Sequence, residues 1–263
     1  MPEYQENSIV QSVEQLAGSL YRLTLSAPLI TSSARPGQFV MVACGPSLDP
    51  LLRRPFSIHR RIGPDQLQLL FRVVGQGTGL LAGVRPGQQL SLIGPLGHGF
   101  QRAPEGAAVC LVGGGIGIAP LLFLANWLRD ARPGVQSCTV LLGAKTGGEL
   151  THLAEEFGAL GCRVETATDD GSLGHHGLVT DLLAAHLATT VQQVYVCGPQ
   201  PMMATVAGLC RTAQVACEAS LEAHMACGLG ACLGCTIHGA DNKYRHVCKH
   251  GPVFKAEEVA WNR

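Results

Sequence analysis

Hydrophobic and polar positions alternate in short runs over the first hundred residues, and the pattern then changes abruptly. Runs at 8–13, 20–25, 38–42, 56–59, 66–74 and 89–92 have the alternation or short apolar length expected of strands. The pairs Pro36-Gly37, Gly63-Pro64, Pro86-Gly87 and Gly94-Pro95 punctuate them, and most of the gaps contain no credible helix. Strands at that spacing predict a small antiparallel β-barrel. From Ala107 onward, strand-like runs at 107–112, 137–142, 163–168 and 193–197 alternate with helical periodicity over 119–130, 149–159, 178–187 and 201–212. A last strand is expected at 215–220. Repeated β-α units predict a parallel, doubly wound sheet, because parallel neighbours need a crossover helix between them. The chain thus divides into a barrel over 1–102, an α/β domain over 103–220 and a small C-terminal domain over 221–263.

Composition narrows the function classes. The chain has 263 residues, 46% of them hydrophobic, enough for sizeable cores. Nineteen basic and nineteen acidic side chains cancel, which removes the electrostatic argument for nucleic acid or an anionic membrane as partner. The opening Met-Pro-Glu-Tyr-Gln-Glu-Asn has neither a basic nor an apolar leader region, so a soluble, cytoplasmic chain is expected. Residues 106–128 carry no charge and are long enough to span a bilayer. They also contain Gly113-Gly114-Gly115, Gly117 and Pro120, and their first part reads as a buried strand.

The densest chemical signal is four cysteines near the C-terminus. Cys227, Cys232, Cys235 and Cys248 stand as C-x4-C-x2-C followed by twelve residues and the fourth thiol. This is the ligand spacing of a plant-type [2Fe–2S] site. The glycines between them permit a loop whose N–H groups turn inward toward sulfur. Four thiolates also bind zinc, but zinc sites usually pair two short C-x2-C knuckles, whereas here three cysteines crowd one loop. A disulfide framework fits poorly with an odd total of eleven cysteines. The other seven, Cys44, Cys110, Cys138, Cys162, Cys197, Cys210 and Cys217, lie mostly in apolar segments and read as small buried hydrophobes, with Cys197 set apart by its place in a motif.

That motif, Cys197-Gly198-Pro199, ends one predicted strand; Gly113-Gly114-Gly115-Ile116-Gly117-Ile118-Ala119-Pro120 ends another and opens a helix. Glycines let the backbone approach a pyrophosphate, the helix N-terminus supplies unpaired N–H groups, and proline is tolerated in the first turn. A tight turn without a ligand would have the same pattern. In the barrel half, Arg54-Pro55-Phe56-Ser57 puts a guanidinium, an apolar ring and a hydroxyl on consecutive residues. The guanidinium suits a diphosphate and the hydroxyl a heteroaromatic nitrogen, though an exposed strand with surface arginines gives the same residues. Phe71-Arg72-Val73 and the Gly75-Gln76-Gly77-Thr78 turn offer a second strand end and a phosphate-friendly loop. The ten histidines show no convergent spacing; His224, His246 and His250 read as surface residues, and Asp169-Asp170 as part of a turn.

Taken in order, R-P-F-S, G-G-G-I-G-I-A-P and C-G-P resemble the ferredoxin–NADP reductase superfamily of flavin enzymes. With the cysteine segment added, the whole chain looks like the electron-transfer subunits of NAD-dependent (class 1B) dihydroorotate dehydrogenases. The resemblance implies an FAD-binding barrel, an NAD-binding α/β domain and a [2Fe–2S] cluster-binding domain. Arg54, Pro55, Phe56 and Ser57 then match the flavin strand; Phe71, Arg72 and Val73 match the second; Gly77 and Thr78 match the loop at the FAD phosphates. Gly113, Gly114, Gly115, Gly117 and Pro120 match the NAD pyrophosphate turn, Cys197, Gly198 and Pro199 the corner beside the nicotinamide, and the four cysteines the cluster ligands. No protein acid or base is implied. The implied partner is an FMN-containing catalytic subunit that oxidises dihydroorotate in pyrimidine synthesis, in a heterotetramer of two plus two chains. Electrons would pass from its FMN through the cluster and FAD to NAD+. A related reading makes the chain an NAD(P)H diaphorase subunit of a glutamate-synthase-like complex, a sulfite reductase or a hydrogenase. Gly143-Ala144-Lys145-Thr146, after the second α/β strand, holds no acidic residue to grip a ribose hydroxyl, and Lys145 would tolerate a 2′-phosphate, so NAD and NADP are both open.

Overall fold

A computed structural model describes residues 2–45, 49–130 and 134–261; the outer bounds expected for the first and last domains, residues 1 and 263, lie outside the described residues. The first part of the chain forms β1 (Tyr4–Ala17), β2 (Leu20–Ser26), α1 (Pro28–Ser33), β3 (Phe39–Val42), β4 (Arg54–Ile62), β5 (Gln66–Arg72), α2 (Gln76–Ala82) and β6 (Gln89–Leu96). Its six strands close an antiparallel barrel in the order β1-β2-β5-β4-β3-β6. Alternate residues Leu23, Leu25, Val40, Val42, Leu67, Leu69 and Leu92 fill it. The two short helices differ from the sequence expectation: local apolar patterning is weak in both, and α2 grows from a glycine-rich segment that reads as a turn.

The second part runs β7 (Ala108–Gly114), α3 (Ala119–Arg129), β8 (Ser137–Ala144), α4 (Thr151–Ala159), β9 (Arg163–Thr168), β10 (His175–His176), α5 (Val179–Leu187), β11 (Gln193–Cys197), α6 (Gln200–Ala213) and β12 (Ala216–Ser220). The uncharged stretch at 106–128 divides into β7, a 3-10 turn and most of α3. No helix among the described residues is long and apolar enough to cross a membrane. The last part holds β13 (Thr236–His238), β14 (Tyr244–His246), α7 (Val247–His250) and β15 (Val253–Lys255).

The main sheet has the order β10-β9-β8-β7-β11-β12-β15. Its first six strands are parallel, as predicted, but β15 returns from the C-terminal region and pairs antiparallel with β12. The order reverses between β7 and β11, so the carboxyl ends of these two strands diverge into helices on opposite faces. Such a switch point is where open α/β sheets bind ligands. The core is shared across the sequence-defined parts. Phe123 of α3 packs into the barrel's hydrophobic cluster, and Cys235, Val247 and Cys248 join the cluster on one face of the main sheet together with Phe39 and Met41 of the barrel. The C-terminal segment therefore builds no separate core.

Candidate cofactor and cluster sites

Two clefts and one thiol loop lie along the boundary between barrel and sheet. The first cleft, about 460 Å³, is lined by Arg54, Pro55, Phe56, Ser57, Phe71, Arg72, Gly77 and Thr78, and it is closed by Ile116, Ala119 and residues 221–225. The β3–β4 ladder sets the first group, pairing Val42 with Arg54 and Phe39 with Ser57. Arg54 Nη1 donates to the Leu52 carbonyl at 2.7 Å. A Cβ on Gly77 would lie 3.4 Å from Arg54 Nε, so glycine leaves the guanidinium its room. The Thr78 hydroxyl is committed to the turn: it accepts from the N–H of Val74 at 2.9 Å and Gly75 at 3.2 Å. Phe71 is almost entirely buried, its ring 5.8 Å from Tyr21 and 5.7 Å from Phe56. Val73 does not line the cleft; Val74 does.

The second cleft, about 570 Å³, opens over the carboxyl ends of β7, β8 and β9. Gly114, Gly115 and Pro199 line it with Lys145, Glu149, Asp169, Leu178 and Met202. Gly113, Gly117, Pro120, Cys197 and Gly198 are not among its lining residues, yet they shape it. A Cβ on Gly117 would sit 2.5 Å from the carbonyl of Cys197, so the glycine turn and the Cys197-Gly198 corner interlock backbone to backbone. Pro120 lies in the first turn of α3 and is buried. Burial pushes the Cys197 thiol up, so it stays protonated at neutral pH. Arg72 and Ile116 line both clefts. Arg72 Nη2 donates to Glu149 Oε2 at 2.5 Å, an ion pair from the barrel strand β5 to the segment just before α4.

The thiol loop carries Cys227, Cys232 and Cys235, with Cys248 brought in by α7. Gly228 and Gly230 have φ of +72° and +79°, the left-handed conformation that aims successive N–H groups inward. Leu229 and Cys232 donate to Cys227 Sγ at 3.4 Å each, Gly230 to Cys248 Sγ at 3.2 Å and Cys248 to Cys235 Sγ at 3.4 Å. Desolvation works to raise the Cys227 thiol, but the N–H groups of Leu229, Cys232 and Ala231 and the Cys232 thiol together bring it down to about 6. The thiols fall into two pairs, Cys227 with Cys232 and Cys235 with Cys248, the latter sulfurs 3.3 Å apart. Among the described residues, no three histidine, cysteine or acidic side chains converge on one ion position. A two-iron cluster divides its four thiolates in pairs. Donor type, pairing and the inward N–H groups all fit the cluster.

Sequence reasoning passed over part of this site. Residues 221–225 bridge β12 to the thiol loop and wall the first cleft, with Glu222 and His224 among them. His224 is exposed, as expected of a surface residue, but the surface it occupies is the cleft wall. The walls around Glu222 raise its carboxyl by desolvation even though the residue keeps solvent contact. Only one signal pointed to them, their position just past a strand's carboxyl end. Asp169, read as part of a turn, lies in the second cleft. Of the other seven cysteines, Cys44, Cys110, Cys197 and Cys210 are buried and Cys138, Cys162 and Cys217 partly so.

Comparison with known proteins agrees with this geometry. A family model described as the iron–sulfur cluster binding domain of dihydroorotate dehydrogenase B matches residues 222–260, and one described as an oxidoreductase NAD-binding domain matches residues 111–208. The chain is 42% identical over 257 residues to the dihydroorotate dehydrogenase B (NAD(+)) electron transfer subunit of Desulforamulus reducens, covering 96% of this chain and 97% of the relative. It is 40% identical to the Enterococcus faecalis subunit of the same description, covering 98% and 99%. Among solved structures, an NADH-dependent reduced ferredoxin–NADP oxidoreductase, studied for flavin-based electron bifurcation, superposes with a TM-score of 0.85 at 28% identity over 97% of this chain and 90% of that one. A ferredoxin NADP+ reductase from Neisseria gonorrhoeae with bound FAD and NADP shares the fold, with a TM-score of 0.66 at 17% identity over 79% and 91% of the two chains.

Proposed function

We propose a function from one premise: the chain belongs to the family of dihydroorotate dehydrogenase B (NAD(+)) electron transfer subunits. It is an oxidoreductase subunit, and membership implies a catalytic partner subunit. In our reading that partner carries FMN, oxidises dihydroorotate, and assembles with this chain as two plus two copies in the cytoplasm. The observation that carries the reading is the adjacency of the two clefts and the thiol loop. The strap at 221–225 lines the first cleft and runs directly into Cys227.

Each group of residues then has a task. Arg54 neutralises the FAD pyrophosphate, with Gly77 giving it space, while Pro55, Phe56 and Ser57 lie along the flavin ring. Phe71, Arg72 and Val73 hold the neighbouring strand in register, and Thr78 fixes the turn that faces the phosphates. Gly114 and Gly115 let the NAD pyrophosphate reach the sheet's switch point. Gly113, Gly117 and Pro120 set the angle at which α3 leaves β7. Cys197, Gly198 and Pro199 form the corner against which the nicotinamide rests. Cys227, Cys232, Cys235 and Cys248 hold the [2Fe–2S] cluster. When bound, the flavin supplies conversion between hydride and single-electron transfer, and the cluster supplies the single-electron relay. The chain's own contribution is placement and exclusion of water; its residues move no proton in this scheme.

The test is co-purification with the catalytic subunit under anaerobic conditions, followed by assay of orotate-dependent NADH oxidation. A complex with equal chain numbers, bound flavin and acid-labile sulfide is expected. Isolated material that is colourless and lacks both flavin and sulfide would overturn the reading.

A further inference from the structure

A fully buried histidine has no role in the reading above. His59 lies on β4, two residues past Ser57, which lines the first cleft, and itself lines neither cleft. Between Ile58 and Arg60 the β4–β5 ladder shifts register, two residues of β4 advancing against one of β5, so His59 sits in a β-bulge. A bulge re-aims a side chain out of the regular alternation. Ile58 packs into the barrel's cluster, while the His59 ring reaches across the boundary to α3, its Nδ1 2.7 Å from the Ala119 carbonyl oxygen. A carbonyl only accepts, so Nδ1 carries the proton and donates.

The place of that contact gives it a consequence. Ala119 opens α3 directly after the turn at 113–117 and itself lines the first cleft. Phe123, one helical turn further on, packs into the barrel's cluster. The other ring nitrogen, Nε2, faces Glu156 Oε2 of α4 at 3.8 Å, and Arg22 of β2 holds that carboxylate in an ion pair. The imidazole is thus backed by two further elements while its front pins the helix start. Apolar side chains alone would hold the barrel against α3, whereas burying a ring with two nitrogens is costly unless they find partners. A directed hydrogen bond adds what non-directional apolar packing lacks: it fixes where along β4 the helix begins.

We propose that His59 is a positioning residue for transfer between flavin and nicotinamide. Its Nδ1–H ties the start of α3, and with it the glycine turn, to the strand that carries Arg54 and Ser57. That bond fixes the offset between the two clefts, and the offset sets how the nicotinamide meets the flavin ring. His59 acts through Ala119 and moves no proton. The proposal rests on reading the first cleft as the flavin site and the second as the dinucleotide site.

The experiment compares wild type, His59→Asn and His59→Gln as full-length chains loaded with FAD and cluster. Asparagine sets its amide nitrogen near the place of Nδ1 and keeps the bond to Ala119; glutamine sets it near Nε2 and loses that bond. Stopped-flow absorbance follows flavin reduction over a range of NADH concentrations. His59→Gln should lower the limiting reduction rate by about tenfold or more, the scale of a small misplacement of reacting groups, with the Kd for NADH unchanged. His59→Asn should stay within about threefold of wild type, since its bond survives. Equal rates in the two variants, a loss confined to His59→Asn, or a loss confined to the Kd for NADH overturns the proposal. Failure of either variant to fold with FAD bound makes the bond a structural one and overturns it as well. Each of these results leaves both cleft assignments standing. Wild type whose bound flavin is not reduced by NADH overturns those assignments and the proposal with them.

Discussion

At Gly117, a single hydrogen in place of a side chain lets two strand ends meet. A Cβ there would lie 2.5 Å from both the carbon and the oxygen of the Cys197 carbonyl and 2.5 Å from Gly198 Cα, all backbone atoms that cannot swing aside. Gly117→Ala should therefore destabilise the fold by about 1–3 kcal/mol, the usual penalty for forcing extra bulk into a packed site. A lowered urea midpoint, with weaker nucleotide binding as the corner opens, is the expected result; an unchanged midpoint would show that the turn has slack. The sequence pattern marked this glycine for a pyrophosphate turn, and its neighbours show a packing demand at the same position. Thr78 carries a similar lesson, since the turn it belongs to read as phosphate-friendly and its hydroxyl accepts from the N–H groups of Val74 and Gly75. Residue type was legible in the sequence, but the side chain's partner was not.

Between elements, the barrel and the α/β part are joined by a buried polar contact that no local pattern announces. His59 of β4 is fully buried, its Nδ1 2.7 Å from the Ala119 carbonyl at the start of α3. Its Nε2 lies 3.8 Å from Glu156 Oε2 of α4, and Arg22 of β2 forms an ion pair with the same carboxylate. Desolvation would raise the Glu156 carboxyl, but the neighbouring His59 ring and the ion pair and hydrogen bond of Arg22 outweigh it and hold the carboxyl below the usual range. A depressed carboxylate stabilises the fold above its unfolded pKa, near 4.5, and loses that contribution as pH falls through its lower folded value. The wild-type chain should thus lose stability on acidification below about pH 4.5. Glu156→Gln should be less stable than wild type at pH 7 and show a flatter pH dependence across the same window. Denaturant midpoints measured between pH 7 and pH 3.5 check this; parallel curves for the two proteins would remove Glu156 from the account. The elements themselves were largely readable. Strands at 163–168 and 193–197 have the predicted bounds, whereas β1 extends four residues beyond each end of the expected 8–13 run. Pairing with β2 and β6 on either side continues β1 past its apolar stretch.

For the whole molecule, the three parts assemble so that the thiol loop faces outward on one side of the first cleft. Leu229 and Leu233 are 48% and 54% exposed on that loop, apolar surface beside a proposed point of electron entry. A partner that covers it would exclude water from the path. Leu233 has φ +60°, a conformation aspartate tolerates better than most residues. Leu233→Asp should therefore fold normally and keep NADH–ferricyanide activity, but bind the catalytic subunit about tenfold or more weakly, as expected for placing a charge in an apolar interface. Size-exclusion of the mixed subunits, together with that assay, decides it; unimpaired association would place the interface elsewhere.

The linear order of residues was sufficient for the barrel, the alternating α/β part and the four-cysteine loop, because each rests on short-range periodicity or on spacing along the chain. Turn glycines, strand alternation and C-x4-C-x2-C are local, and local features survive without a fold. Convergence of distant segments was beyond its reach. The strap at 221–225 walls a cleft whose other side comes from β4 and β5, β15 crosses back to cap the sheet beside β12, and Asp169 parts from Asp170 to enter the neighbouring cleft. Each depends on which strands become neighbours and which way a loop turns. Long-range packing settles both, since burying the shared apolar faces of the barrel, sheet and thiol loop leaves few ways to bring those segments together.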